Sequence, residues 1–332
     1  MKILYAIQGT GNGHLSRAMD VAPALEKHGE VDYLISGAQA DLTFPYEVKF
    51  KSKGLSFYFG KRGGIDYTRT LLKISASRVY RELTSFPIDD YHVIINDFEP
   101  ISAWAAKLKG KKCIALSHQS ALLSNYFPKP EKTDLVGETI LKHYAPAQKH
   151  YGFHFERDGE EIFTPIIRRA IRQSHVRNEG HYSVYLPAYA DHKILSILKL
   201  IPEVNWQVFS KHTKTSDNYG HITIQPVNND LFIKSITSCE GVLCGAGFET
   251  PSEAMYLGKK LMVIPMKNQY EQRCNAMALS KMGIPVFNHL SGKCVSQIRE
   301  VIDSEMPDPK HYPDETQRIV DTVLRREVEY AA

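Results

Sequence analysis

A glycine-rich segment, residues 245–255, has the residue types of an anion-binding turn. It follows an apolar run, residues 241–244, that predicts a buried strand, and it leads into a helical pattern that ends at Gly258. Glycines let the backbone approach a ligand closely, and the free N–H groups of a first helical turn attract phosphate. Glu253 follows one turn later, where a carboxylate can bind two neighbouring hydroxyls, as on a ribose. We therefore expect this segment to hold a sugar nucleotide.

Three polar residues of the first half, His14, Asp97 and His118, each follow a predicted apolar strand. Ligands of open parallel sheets bind outside the carboxyl ends of the strands, so these side chains could converge on one crevice. Imidazole titrates near neutral pH, which makes His14 a candidate general base. Asp97 could accept the other ring N–H and orient the imidazole.

The elements that must position these residues alternate between strand and helix. Residues 3–35 read as strand, glycine turn, helix and strand, a βαβ unit that implies a parallel sheet. The turn reads G-x-G-x-G rather than G-x-G-x-x-G, and no acidic residue ends the second strand, so a dehydrogenase is disfavoured. A second α/β pattern begins at His181, after the polar stretch 173–180. Two such domains predict a ligand cleft between them.

Composition bounds the protein class. The 332 residues are 43% apolar and 23% charged, which is typical of a globular protein with two domains. A net charge of +4 is too mild to indicate nucleic acid. The five cysteines form no C-x-x-C, so neither a disulfide framework nor a zinc site is predicted. The N-terminus reads as a strand rather than a signal peptide, and no apolar run approaches bilayer length, so we expect a cytoplasmic protein.

The stretch 49–62 is basic and aromatic and contains no acid. Two interpretations stay open. It forms either an ordinary strand pair with solvated lysines or a contact surface for an anionic acceptor or a membrane face. The second interpretation would place the protein peripherally on the inner face of the membrane.

Several motifs together resemble the glycosyltransferases of the GT-B fold. Residues 9–14, Gly-Thr-Gly-Asn-Gly-His, are similar to the N-terminal glycine motif of the N-acetylglucosaminyltransferases that act on the peptidoglycan lipid intermediate. Residues 247–253, then Gly258 and Pro265, then residues 271–276, follow the signature block of the UDP-glycosyltransferases in order and spacing. The resemblance spans most of the chain.

The resemblance implies an α/β fold of two Rossmann-like domains facing a cleft. An acceptor-side domain would cover 1–165, a linker 166–180, a donor domain 181–313, and a last helix, 314–332, would cross back to the first domain. Gly247 and Thr250 would lie at the donor's diphosphate, Glu253 at its ribose, and Glu271 and Gln272 at its sugar.

The same block departs from the family pattern at three positions. Gly245 stands where the family has a phosphate-binding His, and Phe248 and Glu249 replace its Trp and Asn. A carboxylate beside a diphosphate is unfavourable, so we expect Glu249 to point away or to contact the sugar. The family's glycine-rich loop is replaced here by residues 186–191, in which Tyr189 would stack on the donor or hydrogen-bond to it.

The function implied is transfer of a sugar from a nucleotide sugar, expected to be UDP-linked, to an acceptor hydroxyl. The chain contains no D-x-D, so a metal-dependent transferase is disfavoured. We expect an inverting reaction that uses no cofactor. His14 would be the base and Asp97 its partner, unless His14 only caps its helix or contacts substrate and Asp97 caps the helix that follows it. The acceptor would meet the side of the cleft formed by Gly11, Asn12, Gly13, His118 and Gln119, although the last two also fit a plain strand-end turn.

Two other functions remain possible on the same fold. A sugar-nucleotide hydrolase or epimerase would share the donor site and need no acceptor cleft. A non-catalytic protein would bind the nucleotide sugar without turnover.

Overall fold

The computed structural model describes residues 1–37, 42–54, 59–60, 64–65, 75–130 and 134–328. Within these ranges the strands are β1 Lys2–Gln8, β2 Glu30–Ser36, β3 Phe50–Ser52, β4 Phe59–Gly60, β5 Gly64–Ile65, β6 Val93–Asp97, β7 Cys113–Ser117, β8 Lys149–Phe153, β9 Ile162–Phe163, β10 His181–Tyr185, β11 Asn205–Ser210, β12 Asp217–Asn218, β13 Ile222–Pro226, β14 Gly241–Gly245 and β15 Lys260–Ile264. The helices are α1 Asn12–Glu26, α2 Ala76–Ser85, α3 Pro100–Leu108, α4 His118–Ala121, α5 Leu135–His143, α6 Arg169–Arg172, α7 Asp191–Leu198, α8 Asn229–Ser238, α9 Glu249–Tyr256, α10 Tyr270–Lys281, α11 Val295–Asp303 and α12 Thr316–Val328.

The first sheet has the strand order β3-β2-β1-β6-β7-β8-β9, and its pairs are parallel. Residues 3–7 of β1 are fully buried because helices cover both faces of a parallel sheet. Ile7 pairs with Asp97, so the turn after β1 and the end of β6 lie side by side. This register brings His14 and Asp97 to the same edge.

The second sheet has the order β12-β13-β11-β10-β14-β15. Its pairs are parallel except β12 with β13, which is antiparallel. Gly245 pairs with Ile264, so the glycine turn before α9 and the loop before α10 leave the sheet together. The prediction of two Rossmann-like α/β domains is confirmed by this architecture.

Helix α1 shows how the apolar spacing builds the core under the site. Leu15, Ala18, Val21, Ala22 and Leu25 are buried at 3% exposure or less. Full burial of a large aliphatic side chain contributes about 1.5–3 kcal/mol, so this stripe fixes α1 on the sheet. The first turn of the helix, which carries His14, is held in place by the packing of the turns that follow.

The last helix, α12, packs its buried residues Ile319, Val320, Val323 and Leu324 into the core cluster that includes β1 and α1. Its Glu327 accepts a hydrogen bond from the Tyr151 hydroxyl on β8 at 2.7 Å and pairs with Lys112 at 2.6 Å. The C-terminal segment is therefore tied to the first sheet.

The basic and aromatic stretch 49–62 falls partly outside the described residues. Within the described part, Lys49 pairs with Asp32 at 2.6 Å and Ser52 donates to Glu82 at 2.6 Å. Lys49 thus has an anionic partner within the chain. Among the residues that the structure describes, no helix combines the length and the apolar content needed to cross a bilayer.

Candidate active site

A cavity of about 650 Å³ lies between the carboxyl ends of the two sheets and is lined by both domains. Most of the residues predicted for the site line it: Gly11, Asn12, Gly13, His14, His118, Gln119, Gly245, Gly247, Phe248, Thr250, Glu253, Glu271 and Gln272. Asp97 lies directly behind the wall and is fully buried. Tyr189 is not part of the described lining.

His14 and Asp97 form a hydrogen-bonded pair on the N-terminal wall. The glycine turn brings His14 into the first turn of α1, and Gly11, at φ 94°, takes the backbone through a conformation that side chains disfavour. His14 Nδ1 lies 2.8 Å from Asp97 Oδ1. When His14 Nδ1 carries a proton and donates it to Asp97, His14 Nε2 has a free lone pair. His14 Nε2 faces Gln119, whose side-chain nitrogen is 3.4 Å away.

Arg17 completes this cluster, which we call the His14–Arg17–Asp97 cluster. Its Nε and Nη2 donate to the Asp97 carboxylate, with Nη2 at 2.7 Å from Oδ1 and 2.8 Å from Oδ2. Arg17 is 2% exposed and follows His14 by three residues, on the same face of α1. Asp97 is thus a buried carboxylate with two partners, which satisfies a charge that burial alone would penalise.

The charges in this cluster shift the pKa of each partner. Burial opposes ionisation of Asp97, but Arg17 and His14 outweigh it and hold the pKa of Asp97 below its usual value. Burial likewise lowers the pKa of His14, yet the charge and hydrogen bond of Asp97, with a contribution from Glu249, raise it above 6.5 overall. The His14 side chain is therefore more basic than a free imidazole.

The C-terminal wall of the cavity is formed by β14, the glycine turn and α9. A Cβ on Gly247 would meet nothing within 4 Å, so this stretch of backbone faces open space. No side chain caps α9, which leaves the first N–H groups of the helix without a partner inside it. Such a terminus is suited to bind an anion.

Glu249 and Glu253 lie four residues apart on α9, and each is paired with an arginine. Glu249 forms a salt bridge across the cleft with Arg17. Both oxygens of Glu253 accept from Arg168, at 2.5 Å from Nε and 2.7 Å from Nη2, and Arg168 also donates to Asn229 at 2.8 Å. Glu253 therefore lies in the cavity wall, where it was expected, but its carboxylate already has a cationic partner.

The remaining predicted residues have more structural partners than the sequence suggested. His118 is 1% exposed, stacks on Phe248 at 4.0 Å between ring centroids, and contacts the carbonyl of Phe153 and Oδ1 of Asn275, each at 2.7 Å. His118 thus joins the two domains. Gln119 donates to Glu271 across the cleft at 2.9 Å.

Two further predicted donor residues support loops. Gln272 Oε1 accepts the N–H of Met266 at 2.9 Å, so it braces the segment between β15 and α10. The Tyr189 hydroxyl accepts the N–H of Leu290 at 3.1 Å, and the ring packs against the core of the second domain. The structure therefore gives Tyr189 a packing role away from the cavity.

Sequence reasoning missed Arg17 and Arg168. Arg17 could have been found, because a residue three positions after His14 shares its helical face. Arg168 had no comparable signal, since its partner Glu253 is 85 residues away in the sequence. Within the described residues, no group of His, Cys, Asp and Glu is arranged to hold a metal ion.

Comparison with known proteins agrees with this architecture. Residues 1–301 match the model of glycosyl transferase family 1. No curated protein matches the sequence. Among solved structures, the chain is similar to Acinetobacter baumannii MurG, with a TM-score of 0.56 and 14% identity over 98% of this chain and 99% of that one.

Two other solved structures show the same fold. Phytolacca americana UGT2, complexed with UDP-2fluoro-glucose and pterostilbene, aligns with a TM-score of 0.56 and 13% identity over 99% of this chain and 94% of that one. The spinosyn rhamnosyltransferase SpnG, complexed with spinosyn aglycone, aligns with a TM-score of 0.54 and 13% identity over 99% and 100%. At these identities the likeness concerns the fold. Together with the family match over most of its length, it shows that the chain belongs to glycosyl transferase family 1 and has the GT-B fold of a glycosyltransferase.

Proposed function

We propose that this glycosyltransferase moves a sugar from a nucleotide-sugar donor, UDP-linked, to an acceptor hydroxyl, with inversion and without a metal. The observation that carries the proposal is the 2.8 Å contact of His14 Nδ1 with Asp97, on the wall opposite the uncapped start of α9. A base and an anion-binding helix terminus on opposite walls of one cavity suit a displacement reaction.

In the proposed reaction the acceptor oxygen attacks the anomeric carbon of the donor sugar. His14 Nε2 takes the hydroxyl proton as the new carbon–oxygen bond forms. The bond from that carbon to the diphosphate oxygen breaks, and its electron pair remains on the diphosphate. Attack from the side opposite the leaving group inverts the anomeric configuration. The start of α9 would stabilise the negative charge that develops on the diphosphate.

The choice of UDP rests on the signature block around Gly247 and Thr250 and on the UDP-sugar analogue bound by Phytolacca americana UGT2. The acceptor stays open between a glycan, a lipid and a small molecule. Within the stretch 49–62, Lys49 pairs with Asp32. Contact between a membrane and the basic residues after Lys49 is part of the proposal.

The donor can be identified by thermal unfolding with a panel of nucleoside diphosphates and their sugars. A ligand that binds the native state raises the unfolding midpoint, and we expect UDP and UDP-sugars to raise it most. Equal shifts with all nucleoside diphosphates would contradict a uridine preference.

Catalysis is tested by following UDP release from the preferred UDP-sugar, with and without a panel of phenol and sugar acceptors. His14→Ala should lower acceptor-dependent release about 10²–10⁴-fold, the usual contribution of general base catalysis, and leave UDP affinity unchanged. His143→Ala, an exposed histidine at the end of α5, is the matched control. Free sugar released at the same rate without any acceptor would instead indicate a hydrolase.

A further inference from the structure

Glu249 lies at the end of α9 where the proposed donor would put its diphosphate. Glu249 is the first residue of the helix, which no side chain caps. The N–H groups of Glu249 and Thr250 have no partner within the helix, and Pro251 has no N–H. The helix dipole favours a negative charge at this end. In the absence of ligand, the protein supplies that charge itself.

Glu249 is held there by Arg17 of the opposite domain. Arg17 contacts two carboxylates, Asp97 in the interior and Glu249 on the cavity side. The Asp97 side chain is fully buried, whereas that of Glu249 is 19% exposed. Glu249 Oε2 also lies 2.6 Å from where a Cβ on Gly13 would stand, so the carboxylate reaches the glycine turn across the cleft.

A bound diphosphate would compete with Glu249 for this position. Both are anions, both favour the start of α9, and both suit the planar N–H groups of a guanidinium. Asp97 cannot yield, because it is fully buried and also pairs with His14. Glu249, partly exposed at the cavity surface in the first turn of α9, is the partner that can move away.

We infer that Glu249 stands in for the donor's diphosphate in the ligand-free protein, and that an incoming diphosphate displaces it and takes its place on Arg17. The inference rests on the proposed function and extends it by naming Arg17 as a catalytic residue that contacts the leaving group. When the bond to the anomeric carbon breaks, the electron pair moves onto the diphosphate, and Arg17 stabilises the added charge.

Inorganic pyrophosphate tests this without any sugar transfer. Removing the internal competitor with Glu249→Gln should tighten pyrophosphate binding about tenfold in isothermal titration calorimetry, a factor of ten in the dissociation constant. The matched control is Glu138→Gln, which neutralises a carboxylate in the first turn of α5, another helix that borders the cavity. We expect the control to bind pyrophosphate within twofold of the wild type.

Three results would overturn the inference. Equal tightening in both variants would mean that Glu249 acts only through general repulsion. Unchanged or weaker binding by Glu249→Gln would mean that Glu249 does not compete. A full gain from Glu249→Gln in an Arg17→Lys background would mean that Arg17 is not the shared partner, because lysine lacks the guanidinium fork. If the glutamine variant folds poorly, Glu249→Ala serves in its place, and we expect it to bind pyrophosphate about tenfold more tightly as well.

The outcome is separable from that of the proposed function. If Glu249→Gln binds pyrophosphate more tightly but no UDP-sugar supports transfer, the proposed reaction is wrong and the displacement of Glu249 still holds. If transfer depends on His14 but Glu249→Gln does not bind pyrophosphate more tightly, only the displacement of Glu249 is wrong.

Discussion

The imidazole of His14 lies between charges of opposite sign, and their balance sets the pH at which it can act as a base. Asp97 raises its pKa, while Arg17 and burial lower it. The net pKa lies above 6.5, so the imidazole is protonated and inactive as a base at pH values where a free histidine is already neutral.

This balance predicts the acid side of the pH profile. Transfer should fall as the pH drops through the pKa of His14, so the midpoint of kcat/KM should lie above 6.5 in the wild type. In Asp97→Asn, burial and Arg17 lower the pKa of His14 with only Glu249 opposing them, and the midpoint should move to lower pH with a reduced maximum. A midpoint that stays in place would show that another group controls the profile.

The same shifts bear on stability with opposite signs. The raised pKa of His14 gives stability that is fully present below pH 6.5 and is lost as the pH rises through its folded value. The lowered pKa of Asp97 gives stability that is present above 3.8 and is lost as the pH falls through its folded value. Between pH 3.8 and pH 6.5 both contributions are present, so the His14–Arg17–Asp97 cluster adds most to the free energy of unfolding there.

Glu253 makes a prediction about the ribose. If its carboxylate binds the ribose hydroxyls, it must exchange part of its pairing with Arg168 for them. The wild type should then bind UDP more tightly than 2′-deoxy-UDP, and Glu253→Gln should reduce that preference. Titration of both nucleotides against both proteins measures it, and a preference that Glu253→Gln leaves unchanged would contradict the assignment.

Among the elements, the turn between β1 and α1 does the most to place the base. Gly11 has φ 94°, and a Cβ there would meet nothing within 4 Å, so an alanine would be strained by its backbone alone. Gly110, at φ 65° and equally open, lies beyond the end of α3 and away from the cavity. Comparing substitutions at Gly11 and Gly110 therefore separates the loss of stability caused by backbone strain from a loss of catalysis.

Gly11→Ala should lower the unfolding midpoint, since a side chain at φ 94° and ψ 165° lies in a sparsely populated backbone region, which costs about 1–3 kcal/mol. It should also lower kcat, because the strained turn shifts His14 relative to Asp97. Gly110→Ala should lower the midpoint by a similar or smaller amount and leave kcat unchanged. Equal losses of kcat in the two variants would show that the effect comes from stability.

At the scale of the whole molecule, buried polar contacts hold the two sheets' edges together. His118 stacks on Phe248 and contacts Asn275, whose amide in turn donates to the carbonyl of Ala246 at 3.1 Å. Arg17 and Gln119 add contacts to Glu249 and Glu271. These contacts add to the apolar packing that the two domains share beside the cavity.

How far the sequence could anticipate this arrangement differed from residue to residue. The pairing of His14 with Asp97 followed from the rule that parallel strands end at one edge, because that rule needs no knowledge of distant contacts. The pairing of Arg168 with Glu253 depends on how the linker passes α9, which no local pattern encodes. Tyr189 was placed at the donor by its position in a loop, but the nearby N–H of Leu290 engages its hydroxyl.

The interface also contains a chemical reporter. Cys274 of α10 is 2% exposed and packs with Tyr270 and with Leu122 of the first domain. Burial raises the pKa of its thiol to about 11, so almost no reactive thiolate is present while the domains are closed.

A thiol reagent can therefore label Cys274 only when the domains separate, and the labelling rate reports how often they do so. A ligand that bridges the cavity, such as UDP, should lower the labelling rate. Cys113, buried in strand β7 of the first sheet, provides the reference rate for global unfolding.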